Sequence, residues 1–177
     1  SLLKLGMSYE EALDCAIVGC VEPSIIGAFG RNNGGFLNLA RIVDFALNDG
    51  RDRLTGEQLG LHTGDPHNFT CIEDVMEAVK TQLLYFIKLL ATEDHIIDVV
   101  QSELTPHVLV STMIPGCIEK GKDITAGGAI YHTTTPFGAG LATATDSLAA
   151  IKKAVFEDRS VSMDELLHAL DTDFEGM

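Results

Sequence analysis

A chain of 177 residues, 46% hydrophobic and 21% charged, has the composition of one globular domain with a sizeable core. Its net charge of −14, with five arginines and seven lysines scattered along it, excludes a nucleic-acid role, which needs a basic face to neutralise phosphates. The longest apolar stretch, Leu83 to Ala91, is interrupted by Lys88, short of the roughly 18 to 20 apolar residues of a membrane helix.

Acidic residues arrive early in SLLKLGMSYEEALDCAIVGC, which argues against a signal peptide. Ser8 with Glu10 and Glu11 predicts a short helix through SYEEALDCAI, residues 8–17. Cys20, Val21 and Glu22 read as a short extended segment that stops at Pro23, and GAFGRNNGG at 27–35 as a loop. In NLARIVDFALNDG, residues 38–50, apolar Leu39, Ile42, Val43, Phe45, Ala46 and Leu47 recur at helical spacing, and Gly50 supplies a stop. After a polar loop at 59–68, Thr70 and Glu73 form a capping-box pattern. Apolar periodicity then runs from Ile72 to about Leu104, with ATEDH at 91–95 marking a break. A fourth helix is predicted over Val108 to Lys120, a short strand in AIYHTTT at 129–135, and a fifth helix from Ala144 to Phe156. The last helix starts at Ser162, capped against Glu165. There is no repeat, low-complexity tract or linker. Helix signal dominates and strand signal is thin, so the chain reads as a helix-rich part of something larger rather than a domain with its own complete sheet.

The four cysteines, Cys15, Cys20, Cys71 and Cys117, show no C-x-x-C pair, so neither a disulfide framework nor a zinc site is expected and reduced cytosolic thiols are the default. Cys20 and Glu22 differ from the rest because alternation along an extended segment puts both side chains on one face. A neighbouring carboxylate disfavours a thiolate, so the pair suits chemistry that needs a protonated thiol beside a carboxylate. The bland alternative is a small buried hydrophobe. A cysteine–histidine hydrolase is disfavoured, since that chemistry needs the thiolate. GCIEK at 116–120 repeats the spacing in a helical context, where i and i+2 do not face each other, and Cys117 reads as a buried helix cysteine. The six histidines form no metal set; His62 and His67 read as loop residues. The paired glycines at 34–35 and 127–128 fit neither G-x-G-x-x-G nor a Walker loop.

GCVEP at 19–23 followed by FLNLARIVDFALNDG resembles the central portion of glycyl radical enzymes of the pyruvate formate-lyase superfamily. So do TGDP at 63–66, CIEKGKDITAGGAIY at 117–131 and GLATATDSLAAIKKAVFE at 140–157, in the family's order and over nearly the whole chain. GCVEP is similar to the eliminating branch, the dehydratases and lyases. Formate acetyltransferases carry two adjacent cysteines here, whereas Val18 and Gly19 precede Cys20. The resemblance implies an α/β fold in which this chain is a helix-rich fragment of a ten-stranded barrel of two antiparallel five-stranded half-barrels, with Cys20 on a central finger loop. It implies that Cys20 becomes a thiyl radical that abstracts hydrogen from a small substrate. Hydrogen-atom transfer needs S–H, so Glu22 is no handicap. Glu22 is then the general base that deprotonates the substrate as an adjacent C–O, C–N or C–S group leaves. Apolar Ile17, Val18 and Val21 fit a dry radical site. Phe36 falls where relatives place a substrate-contacting residue, often tyrosine, and Asn32 and Asn33 are further candidate contacts.

The family stores its radical on a glycine in an R-V-x-G-Y/F motif, which none of the five arginines here begins. Residues 1–177 are therefore expected to be part of a single catalytic domain, with the glycyl radical domain and the N-terminal half absent and the chain alone inactive. No bound cofactor is expected. The implied partners are a small substrate, an activating enzyme that uses S-adenosylmethionine and an iron–sulfur cluster, and a second copy in a homodimer; nucleic acid and membrane are not. The implied setting is an anaerobic cytoplasm or a bacterial microcompartment. Other superfamily chemistries (formate acetyltransfer, arylacetate decarboxylation) and a non-catalytic helical role are the alternatives.

Overall fold

The computed structural model describes residues 2–19, 22–30, 34–133 and 136–175. Contacts divide the chain into two compact units: Ser1–Gly35 with Leu90–Phe137, and Phe36–Leu89 with Gly138–Met177.

The first unit opens with a 3-10 turn, Leu2–Leu5, and helix α1, Tyr9–Leu13. A reciprocal capping box starts α1: the Glu11 N–H donates to Ser8 Oγ at 3.2 Å, and the Ser8 N–H donates to Glu11 Oε2 at 2.8 Å. The helix ends four residues earlier than its sequence pattern predicts. Strand β1, Cys15–Val18, takes over and pairs antiparallel with β2, Glu22–Ile25. Cross-strand pairing, helped by β-branched Ile17 and Val18, wins over weak helical periodicity here. Nor does Pro23 end the extended segment, because both strands of a two-stranded hairpin are edges and tolerate a residue without an N–H.

Helix α3, Ile72–Leu104, is continuous. The expected break at 91–95 does not occur, since no Gly or Pro lies anywhere between 72 and 104. Its cap also differs from the sequence pattern. Asp74 rather than Glu73 closes it, accepting from Thr70 N at 2.8 Å, Thr70 Oγ1 at 3.0 Å and Cys71 N at 3.2 Å. The predicted single helix over 108–120 is two short ones, α4, Val108–Ser111, and α5, Cys117–Lys120. Pro115 and Gly116 separate them; Gly116 has φ +94°, and a Cβ there would lie 2.8 Å from the Gly128 carbonyl oxygen. Cys117 is 2% exposed and packs with Ile124 and Ala129, as its helical context predicts. In AIYHTTT, Tyr131 forms only an isolated parallel bridge to Phe29. Residues 134 and 135 lie outside the described residues, and the strand comes later, as β4, Pro136–Ala139.

Strand β4 pairs with β3, Gly35–Asn38. In the second unit Asn38 caps α2, Leu39–Ala46, which buries Ile42, Val43, Phe45 and Ala46 as the periodicity predicts. Helix α6, Leu141–Ile151, follows Gly140 and begins three residues before its expected start at Ala144, and it widens into a π-helical turn over Lys152–Glu157. Helix α7, Met163–Asp171, begins with the Ser162–Glu165 box. Val43, Leu47, Val75, Ala144, Ile151, Met163 and Leu167 form this unit's core. Polar staples complete it. Arg53 donates to Asp44 at 2.7 Å and to the Leu47 carbonyl at 2.7 Å and pairs with Asp171. Gln82, fully buried, exchanges hydrogen bonds with the backbone N–H and C=O of Leu61, pinning the 59–68 loop to α3. The fold is thus helix-rich α/β. Among the described residues the strands form two two-stranded sheets, and no helix is long and apolar enough to cross a membrane.

Candidate active site

The β1–β2 hairpin is short and its register is defined: Cys15 opposes Ile25, Ala16 opposes Ser24, Ile17 opposes Pro23 and Val18 opposes Glu22. This leaves 19–21 as the connecting residues. Gly19 has φ +59°, in the left-handed region that other residues enter at a cost. The Glu22 carboxylate is folded back toward it: a Cβ added at Gly19 would lie 2.7 Å from Glu22 Oε2 and 3.2 Å from both Cδ and Oε1. Glycine at 19 therefore does two things. It permits the turn, and it clears the space that the carboxylate occupies beside the backbone leading into Cys20.

Of the residues singled out by sequence, Cys20, Asn32 and Asn33 lie outside the described residues, as does Val21. Glu22 is half-buried at the start of β2 in the first unit. Phe36, in β3, is 70% exposed and belongs to the second unit. The expectation that Ile17 and Val18 keep the site dry is not met within this chain. They are 66% and 47% exposed, because a hairpin of this size has no second layer of its own to bury them. Sequence reasoning missed two further features. Gly19 had no assigned task, although a glycine directly before the cysteine was its signal. Tyr131, read as a strand residue, reaches the helix preceding the hairpin: its hydroxyl donates to Glu11 Oε1 at 2.8 Å.

The family model described as "Pyruvate formate lyase-like" matches residues 1–177. The chain belongs to the pyruvate formate lyase-like family. Among its relatives, the trans-4-hydroxy-L-proline dehydratase of Clostridioides difficile is 41% identical over 175 residues, which is 99% of this chain and 22% of that enzyme. A crystal structure of the C. difficile hydroxyproline dehydratase with its substrate bound superposes with a TM-score of 0.93 at 40% identity, again over 99% and 22% of the two chains. The glycerol-bound B12-independent glycerol dehydratase of Clostridium butyricum gives a TM-score of 0.90 at 37% identity over 98% of this chain and 22% of its own. A glycyl radical enzyme from Archaeoglobus fulgidus gives 0.87 at 29% identity over 99% and 22%. The chain thus spans about a fifth of the length of these relatives, and this family resemblance extends through all of it.

Proposed function

We propose that these 177 residues are part of the single catalytic domain of a glycyl radical lyase or dehydratase, and that Cys20 and Glu22 are its reacting pair. The observation that carries this reading is the Glu22 carboxylate folded over Gly19, at the base of the connection that contains Cys20. A base held beside the hydrogen-abstracting sulfur can act on the atom next to the abstraction site, which is a positioning effect. In the proposed reaction the Cys20 thiyl takes a hydrogen atom from a substrate carbon, leaving S–H and a carbon radical. Glu22 takes the proton of the hydroxyl on that carbon while the neighbouring C–O, C–N or C–S bond breaks, its electron pair leaving with the departing group. The product radical then recovers hydrogen from Cys20.

The dehydratases among the relatives favour loss of C–O. Phe36, Asn32 and Asn33 are the proposed substrate contacts. The radical is stored on a glycine outside residues 1–177 and installed by an activating enzyme with S-adenosylmethionine and an iron–sulfur cluster. The parent fold is the ten-stranded barrel of two half-barrels, working as a homodimer in an anaerobic cytoplasm or a bacterial microcompartment. The test is to incubate the activated longer polypeptide with a panel of small diols, amino alcohols, hydroxy amino acids and sulfonates. Release of water, amine or sulfite with formation of a dehydrated product supports the reading; decarboxylation or acetyl transfer without elimination contradicts it.

A further inference from the structure

A two-stranded hairpin is marginally stable by itself in water. The β1–β2 tip keeps Ile17 and Val18 exposed, so its geometry depends on what holds its two ends. Both ends are held by one residue. Upstream, α1 runs into β1 through Asp14, and Glu11 of α1 accepts the Tyr131 hydroxyl at 2.8 Å. Downstream, β2 ends at Ile25 and turns back, the Ala28 N–H donating to the Ile25 carbonyl at 3.0 Å. Onto that turn Tyr131 places its ring, stacked on Phe29 with centroids 5.1 Å apart. Its backbone also clasps the turn: Tyr131 N donates to Ala28 O at 2.9 Å, and Gly30 N donates to Tyr131 O at 2.8 Å.

The residue that does this is itself anchored. Next to it His132 Nε2 lies 3.2 Å from Asp98 Oδ2 on α3, and the carbonyl of buried Ala129 accepts from Lys120 Nζ at 2.5 Å. Gly30 lets the turn approach closely, since a Cβ there would sit 3.0 Å from that of Ala129.

We infer that Tyr131 is the positioning residue of the Cys20–Glu22 hairpin, a strut that fixes α1 with its hydroxyl and the outgoing turn with its ring and backbone. The inference rests on the proposed pairing of Cys20 with Glu22. The contacts that define the strut fall on Glu11, Ala28, Phe29 and Gly30, so Tyr131 acts by fixing where the hairpin stands.

The test reads the pH dependence of Cys20 alkylation by iodoacetamide, resolved by peptide mass spectrometry, in the wild-type chain, Glu22→Gln, Tyr131→Phe, Glu11→Ala and the Tyr131→Phe/Glu11→Ala double variant. If Glu22 stands beside Cys20 as proposed, the wild-type midpoint lies above the ordinary thiol value of about 8.5, and Glu22→Gln lowers it. Tyr131→Phe keeps the ring stacking and backbone bridge and removes only the hydroxyl contact. If the strut sets the pair, Tyr131→Phe and Glu11→Ala each lower the midpoint by about half a unit, or roughly threefold faster alkylation below the midpoint. The double variant then goes no lower than Glu11→Ala alone, because the hydroxyl contact is already gone there. Cys71, in the other unit, stays unchanged, and buried Cys117 stays protected. A shift in Glu22→Gln with none in either strut variant overturns the strut and leaves the pair standing. No shift in Glu22→Gln overturns the pairing and the strut with it. Exposure of Cys117 in both strut variants also overturns it, since the contact would then be general stabilisation of the unit.

Discussion

At Gly19 the backbone sits at φ +59°, and a methyl group would press against the Glu22 carboxylate. Alanine there carries a left-handed strain of about 1–2 kcal/mol and must also push the carboxylate away. Gly19→Ala is accordingly expected to lower stability by about 1–2 kcal/mol in urea unfolding; unchanged stability would remove the special role of this glycine. Asp123 makes a pH-dependent contribution in the same unit. The Ser111 and Thr125 hydroxyls, at 2.7 and 2.6 Å, with the Thr125 N–H, hold its carboxyl well below the usual carboxylate range. The native group then binds protons less readily than the unfolded one, so stability rises with pH. Its contribution is present above about pH 4 and is lost as pH falls toward the native value. Asp123→Asn should be less stable than wild type at neutral pH, with the gap closing between about pH 5 and pH 2; a gap that stays constant would show that the hydrogen bonds favour neither protonation state. Glu22 was legible as a strand residue because extended character is a local signal, whereas its partner Cys20 lies outside the described residues. The Tyr131 contact was not legible, since it joins residues 120 positions apart.

Helix ends follow the chemistry of particular side chains. Ser162–Glu165 is a cap in both sequence and structure, and Ser8, read from sequence as a helix start with Glu10 and Glu11 in the first turn, forms a capping box with Glu11. At α3 the pattern Thr70–Glu73 matched the same rule and was displaced one residue by Asp74, whose shorter side chain reaches the Thr70 and Cys71 N–H groups. Asp74→Ala is expected to cost about 1 kcal/mol, and Glu73→Ala no more than about 0.5 kcal/mol, in matched denaturation curves. Equal losses would restore the sequence assignment. The split between α4 and α5 was written in Pro115 and Gly116, both of which break helices, but apolar periodicity across 108–120 masked it. The early end of α1 was not readable in this way, because strand β1 exists only through its pairing with residues that follow it in the chain.

Across the whole molecule, helical content was readable because apolar spacing is repeated over long segments, above all in α3. Strand arrangement was not: the two two-stranded sheets carry too few residues to reveal a barrel, and that part of the account comes from resemblance. The two compact units each have a core, yet Ile17 and Val18 of the first and Phe36 of the second stay exposed. This fits a chain spanning about a fifth of its relatives' length, 22% of the hydroxyproline dehydratase. The most direct measurement is turnover by the activated longer polypeptide carrying Cys20→Ala or Glu22→Gln, with the glycyl radical recorded by electron paramagnetic resonance in the same samples. The account predicts an intact radical signal in both variants, no product from Cys20→Ala, and a loss of about 10²–10⁴-fold for Glu22→Gln. Product formation by Cys20→Ala, or near-normal turnover by Glu22→Gln, would contradict it.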